Sequence, residues 1–334
     1  MPNRTIGTGG DFETFTAAIA AMTSAETFDV IEAKTYSESA YLTVGSYSVV
    51  FNNISGGRVT IQTPPGSPII SISGGSVGSP ITARFTGDFK LEIRKPTSGG
   101  TEFIVWLAGE STVQNRFIGT GLTFASNYTT GNTQVIWNAP GKSHELYDCT
   151  VEGVYDNIIT LGNTGVESII DGLTISGTAK KIIHGGAGGG GAAMLASMSH
   201  EHIYGPISLK PWSDPSSTGV AVTNPPFISE CVLWGVTSPT LLWNASAWTI
   251  EKSTFSGSST SMFTAGGVGY PLVGSTFRNC GFIGFSASGV AVPTSLGDTG
   301  LVDYCGAWQC PAVCDQSGSS GAHNITGEDP KFID

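Results

Sequence analysis

The chain has 334 residues and a formal net charge of −11, with 15 lysines and arginines, and it is 40% hydrophobic but only 12% charged. This balance excludes an intrinsically disordered chain, and it excludes nucleic-acid binding through a basic face. No apolar run is long enough to cross a membrane as a helix. Met1–Gly7 lacks the hydrophobic segment of a secretory leader, so either a leader has been removed or the protein is made in a cytoplasm, and the second is expected.

The first predicted element is a helix over 11–22. Asp11 is its cap, Phe15, Ile19 and Met22 share one face, and Ala17, Ala18, Ala20 and Ala21 favour helix. Strands begin at Phe28-Asp29-Val30-Ile31. Further on, Phe89, Leu91 and Ile93 alternate with Asp88, Lys90, Glu92 and Arg94, which reads as a core face backed by a solubilising ladder of charges.

From there a short phrase returns. Gln114–Gly119, Asp148–Gly153, Gly172–Gly177, Glu230–Gly235, Lys252–Gly257 and Asn279–Gly284 each end in a glycine. Each has an apolar residue third from its end: Phe117, Val151, Ile175, Leu233, Phe255 and Phe282. The closing glycines are spaced by 34, 24, 58, 22 and 27 residues, and the 58 has room for one unrecognised copy. A second apolar run follows each phrase, as in Ile158-Ile159-Thr160-Leu161 or Leu241-Leu242-Trp243. These runs are short, β-branched or aromatic, and bounded by turn residues. Several strands per coil of twenty-odd residues, with no helix between coils, specify an all-β, right-handed parallel β-helix. The helix over 11–22 is expected to plug its open end. The whole of 1–334 is one expected domain, with the glycine-rich stretch 185–212 as an irregular loop insertion and 300–334 as a C-terminal cap.

Two stretches resemble a known family. Gly7–Phe12 with Ala17-Ala18-Ile19 and Asp29–Tyr36 is similar to the opening of pectate-lyase-like right-handed β-helix proteins. Asn324–Asp334, with its Asp329-Pro330-Lys331-Phe332, is similar to their closing phrase. The resemblance implies the β-helix fold. The family hosts lyases, hydrolases, esterases and structural spikes, so fold alone implies no activity. Low charge density, unbroken repeats and the absent leader also resemble virion proteins of tailed phages. Because the β-helix opening lies next to Met1, a capsid decoration or accessory spike subunit is expected, located in the virion and able to bind a host-surface glycan. The alternative is a polysaccharide-degrading tailspike, acting as a glycoside hydrolase or a lyase.

Glycoside hydrolysis needs two carboxyl groups about 5–5.5 Å apart (retaining) or about 6.5–9.5 Å apart (inverting). Asp148 and Glu152 lie roughly 13 Å apart along a strand at ~3.3 Å per residue. Asp148 is expected beside Gly172, Glu152 beside Ser176 and Glu230 beside Lys252, which gives no acid pair. Loop carboxylates remain open: Asp171 with Glu145 or Glu167. The calcium-binding carboxylates and base of the family's lyases have no matching cluster. Cys149, Cys231 and Cys280 occupy one position of the repeat and are read as buried thiols. Cys305, Cys310 and Cys314 crowd the end of the chain near His323, but their spacing is not that of a zinc site. His200 and His202 flank Glu201 and are read as a surface strand. No cofactor or metal is predicted. The outward column Ile118, Glu152, Ser176, Trp234, Ser256 and Ile283 carries three large apolar residues. Trp234, Ile118 and Ile283 are therefore the candidate glycan-binding or subunit-contact residues, and a homotrimer docked on other virion proteins is expected to cover them.

Overall fold

The computed structural model describes residues 3–65, 68–76, 78–94, 102–108, 113–126, 133–138, 142–161, 168–176, 178–185, 197–199, 202–203, 207–208, 227–238, 240–242, 249–257, 261–265, 276–291, 301–314 and 323–326. Along most of the chain three strands recur in a fixed cycle, each pairing in parallel with its counterparts one coil before and one coil after. The result is a right-handed parallel β-helix. Its first face is a sheet of 12 strands and its second a sheet of 13. The third face consists of a 6-stranded and a 4-stranded sheet.

The core is a set of columns running along the axis. On the second face Tyr36, Ile61, Leu91, Phe124, Val151, Ile175, Ile203, Leu233, Phe255, Phe282 and Ala307 stand in one register. Five of the six repeat phrases fall on this column. The sixth does not: Phe117 belongs to the first face, between Ala83 and His144, and the second-face residue of that coil is Phe124. An apolar residue two places before glycine occurs at more than one point of a coil, so the phrase was matched to the wrong face.

The interval of 58 residues does hide a coil. Met198 pairs with Ile170 and Ile228 on the first face, and Ile203 pairs with Ile175 and Leu233 on the second. The expected loop insertion 185–212 therefore carries strands of both sheets, at Ser197–Ser199 and His202–Ile203. The glycine tract from 186 onward lies outside the described residues. The expected cap at 300–334 also begins as coil: Leu301–Asp303, Gly306–Trp308 and Ala312–Cys314 extend all three faces. Its closing phrase, from Gly327 onward, lies outside the described residues.

First and second faces meet at a two-residue corner. Asp148, Glu230, Lys252, Asn279 and Tyr304 hold left-handed φ between +50° and +56°, a region few non-glycine residues adopt. At the same corner Gly172 sits at φ +75°, where an added Cβ would come 2.7 Å from Asp148 Oδ1. The next residue points inward. There Cys149, Cys231, Cys280 and Cys305 donate their thiols to the carbonyls of Tyr147, Ser229, Arg278 and Asp303 at 3.3–3.4 Å. Ser253 does the same to Glu251 at 2.8 Å. A small side chain with one donor fits this corner, which is why Cys and Ser recur in it.

The helix is shorter than expected, spanning Phe15–Ala20, and its cap is Thr14, whose Oγ1 accepts from Ala17 N at 3.1 Å. Asp11 instead accepts from Thr5 N and Thr5 Oγ1, closing the preceding turn. The free N–H groups of the first turn find a second acceptor in Glu38. Its carboxylate, 6% exposed, takes Phe15 N at 2.9 Å, Thr16 N at 3.2 Å and Thr16 Oγ1 at 2.6 Å. Phe15 then inserts its ring between Tyr36 and Phe51, each 5.1 Å away, and seals the end of the coil. Glu38→Ala strips these donors of their shared acceptor and is expected to cost about 1–3 kcal/mol. Urea unfolding followed by circular dichroism measures it, and an unchanged midpoint would mean that the carboxylate does not hold the helix.

Candidate functional site

The candidate site is an ion-paired group on the outer side of the second face. In the strands Phe89–Ile93, Thr123–Ser126 and Thr150–Glu152, the inward residues are Leu91, Phe124 and Val151, so the residues between them turn outward. Glu92, Ala125 and Glu152 then form one outward column, two carboxylates with a small residue between them. Lys90 Nζ stands 3.5 Å from Glu92 Oε1 and 3.4 Å from Glu152 Oε2, which holds these oxygens within about 7 Å of one another. Gln62 donates its amide to Glu92. Arg94 donates to Gln62 Oε1 at 3.0 Å and to Ser37 Oγ at 2.8 Å, continuing the network across coils. Beneath it Tyr155 is fully buried and donates to the Glu152 carbonyl at 3.1 Å. Burial holds its phenol well above the usual range, with the charges of Glu152 and Glu92 acting the same way.

This corrects the expectation that no carboxylate pair exists among the coils in register. Once Phe117 is aligned with Val151, Ile118 takes the place of Ala125 and Glu92 is never reached. The other expected neighbours are as predicted. Lys252 Nζ lies 3.5 Å from Glu230 Oε1, and Asp148 accompanies Gly172 at the corner.

The remaining candidates separate. Ile118 lies on the first face opposite Arg84 and Glu145 and is 4% exposed; Ile283 is 6% exposed. Both are covered within one chain, so neither can offer its surface to a glycan or a neighbouring subunit. Trp234 falls where the pairing with Thr254–Gly257 shifts register, and its side chain lies outside the described residues. The apolar outward column does not exist as expected. Asp171 is in register with Tyr147, one coil from Glu145, but Glu145 is bound by Arg116 and by Tyr147 Oη; Glu167 lies outside the described residues. Cys149, Cys231 and Cys280 are all buried. Cys305 joins them in the corner stack, with its Sγ accepting from Cys280 N at 3.4 Å. The side-chain contact with the Cys305 thiol, and then burial, keep the Cys280 thiol well above its ordinary range. Cys310 donates to Ala312 O instead, and the Cys314 side chain lies outside the described residues. His323 pairs with Asp303 at 3.1 Å and stacks on Tyr304 at 4.3 Å. Among the described residues no group of three His, Cys, Asp or Glu could hold a metal ion. His202 stands in register with Thr174 and Val232; His200 lies outside the described residues.

No protein-family model matches the chain, and no curated protein matches it. Among solved structures it is similar to a pectin methylesterase from Aspergillus niger in deglycosylated form, at 13% identity and a TM-score of 0.34, covering 100% of this chain and 93% of that one. A likeness of that degree carries no functional assignment.

Chemically, the group on the second face can do one of two things. Two carboxylates whose oxygens lie no more than about 7 Å apart are close enough to divide the work of glycoside hydrolysis, one as acid and the other as base or nucleophile. In the arrangement seen here a lysine occupies the space between them and engages both. That is the geometry of a brace between coils.

Proposed function

We propose that this chain works as a non-catalytic β-helical rod, a structural subunit of the capsid-decoration or accessory-spike kind carried on the virion of a tailed phage. The observation that carries the non-catalytic part is the sharing of Lys90 between Glu92 and Glu152. Elsewhere too, outward carboxylates brace one coil against the next, in Arg4–Glu26, Arg58–Asp88 and Lys252–Glu230. Exposed pairs of this kind contribute little each, roughly 0–1 kcal/mol, so their effect is to fix the register of the coils. The virion setting rests on the resemblance in composition and repeats. A homotrimer is not carried by the column first expected to bury it, because Ile118 and Ile283 are already covered.

A second reading has one observation in its favour, the separation of Glu92 and Glu152. A screen of plant and bacterial polysaccharides for new reducing ends and unsaturated products separates the two. No product above the buffer blank is expected. Product formation that disappears in Glu92→Gln and in Glu152→Gln would establish the hydrolase instead. Electron microscopy of the native particle tests the structural role.

A further inference from the structure

The third face carries a group of aromatic rings. In the strand Glu102–Leu107 two successive residues, Ile104 and Val105, are both fully buried, and the same doubling recurs at Val135-Ile136 and Ile158-Ile159. The two-residue alternation breaks there, and the residues on either side of the pair are both less buried than the pair itself. Phe103 and Trp106 occupy these positions in one coil, and Gln134 and Trp137 in the next. All four are half-buried. Trp106 and Trp137 are in register, their ring centroids 6.3 Å apart and their planes crossed at 62°. Phe103 closes on Trp137 at 5.7 Å. The rest of the two columns is polar: Thr43 and Ser71 stand before Trp106, Thr160 and His184 after Trp137, and Asn157 and Lys181 follow Gln134.

We infer that Phe103, Trp106 and Trp137 form a binding platform for a neutral oligosaccharide laid along the rod axis. A pyranose has an apolar face of C–H groups and a rim of hydroxyls. Indole rings bury the first, and the half-buried amide of Gln134, in register with Phe103 and on the same strand as Trp137, faces the second. A protein partner of ordinary kind would be met by a continuous apolar core, whereas here the three rings are bounded on both sides by hydrogen-bonding residues. Charge selects the neutral class. The two coils that carry the rings place no charged residue in these columns, Lys181 and His184 lying two coils beyond Gln134 and Trp137, and the chain's net charge of −11 repels polyanions. Parallel coils repeat at about 4.8 Å, so a linear polymer meets successive rungs in a line. The inference deepens the rod reading by giving the rod a ligand, and it rests on that reading only in requiring no turnover.

The test is tryptophan fluorescence and calorimetry on the full chain with four probes: cellohexaose, chitohexaose, maltohexaose and hexagalacturonate. At least one neutral hexasaccharide is expected to bind and change the emission, with little dependence on salt. Trp137→Ala is expected to weaken that binding tenfold or more, and Trp137→Tyr, which keeps a ring, to recover most of it, with the melting temperature reporting that each variant is folded. Binding of none of the three neutral probes, binding of hexagalacturonate alone, or affinity unchanged in folded Trp106→Ala and Trp137→Ala would each overturn the inference. So would a fall in molar mass by light scattering on Trp137→Ala, which would make the platform a contact between copies. Failure here leaves the rod reading intact, whereas shortening of the bound hexasaccharide over time would overturn the rod reading and leave the platform standing.

Discussion

Acid is expected to unfold this protein through a single buried imidazole. His144 points into the core between Phe117 of one coil and Ser168 of the next, with no exposed surface. Burial pushes its pKa down to about 3. In the unfolded chain the same group titrates near 6.5. Between these values the unfolded state holds a proton that the native state refuses, so stability falls as pH drops. The contribution is complete above about pH 6.5 and is lost at about 1.4 kcal/mol per pH unit, reaching roughly 4–5 kcal/mol near pH 3. Urea midpoints measured between pH 7 and 4 give the slope. The wild type is expected to be steeper than His144→Leu by that amount per unit, while the ion-paired carboxylates affect both alike. Parallel curves for the two proteins would show that the imidazole is not the sensor.

A comparable loss is expected from Phe85→Ala. Phe85 is fully buried in the aromatic column of the early coils, 4.9 Å from Phe51, 5.4 Å from Phe89 and 6.0 Å from Phe117. On the next coil it stands in register with Gly119, which has no side chain of its own to fill the gap left by the ring. Emptying it is expected to cost about 3–5 kcal/mol, the transfer term plus the cavity term. Because each coil touches mainly its neighbours, the damage should be local. Hydrogen exchange should accelerate over Val49–Asn53 and Arg116–Thr120 well before it does over Thr276–Arg278. Uniform acceleration along the rod would contradict this.

Much of the fold was legible because its signal is one that the solenoid repeats. An inward apolar residue flanked by a corner and a glycine returned often enough to give the strand class, the second-face column, the buried cysteines, the Glu230–Lys252 pair and the room for a hidden coil. The early coils were harder. Tyr36, Ile61 and Leu91 hold the same column without the glycine two places on that closes the later copies. Matching Phe117 to Val151 displaced one coil by a face, which hid Glu92 from Glu152 and turned the buried Ile118 into a surface candidate. Trp106 and Trp137 were missed for another reason. Two consecutive core residues at Ile104-Val105 break the two-residue alternation, so nothing in the pattern of residues 102–107 says which side chains face outward. Trp234 was chosen by an alternation that its own strand interrupts with a register shift. The helix cap was misplaced because Glu38, which holds the first turn, lies 23 positions from Phe15 and is brought there only by the coil.

The left-handed corners have a consequence for how the length of this molecule can change. Lys252 and Asn279 sit at φ +50° and +53°, each followed by an inward residue, Ser253 or Cys280, that fills the same niche. Cutting the chain after one such corner and rejoining it after another leaves every remaining turn in a conformation it already holds. Removal of residues 253–279 would join Lys252 to Cys280 and shorten the rod by a single rise of about 4.8 Å. Its reach is therefore counted in whole coils, and a lineage can lengthen or shorten it by copying or dropping one segment, without redesigning a core.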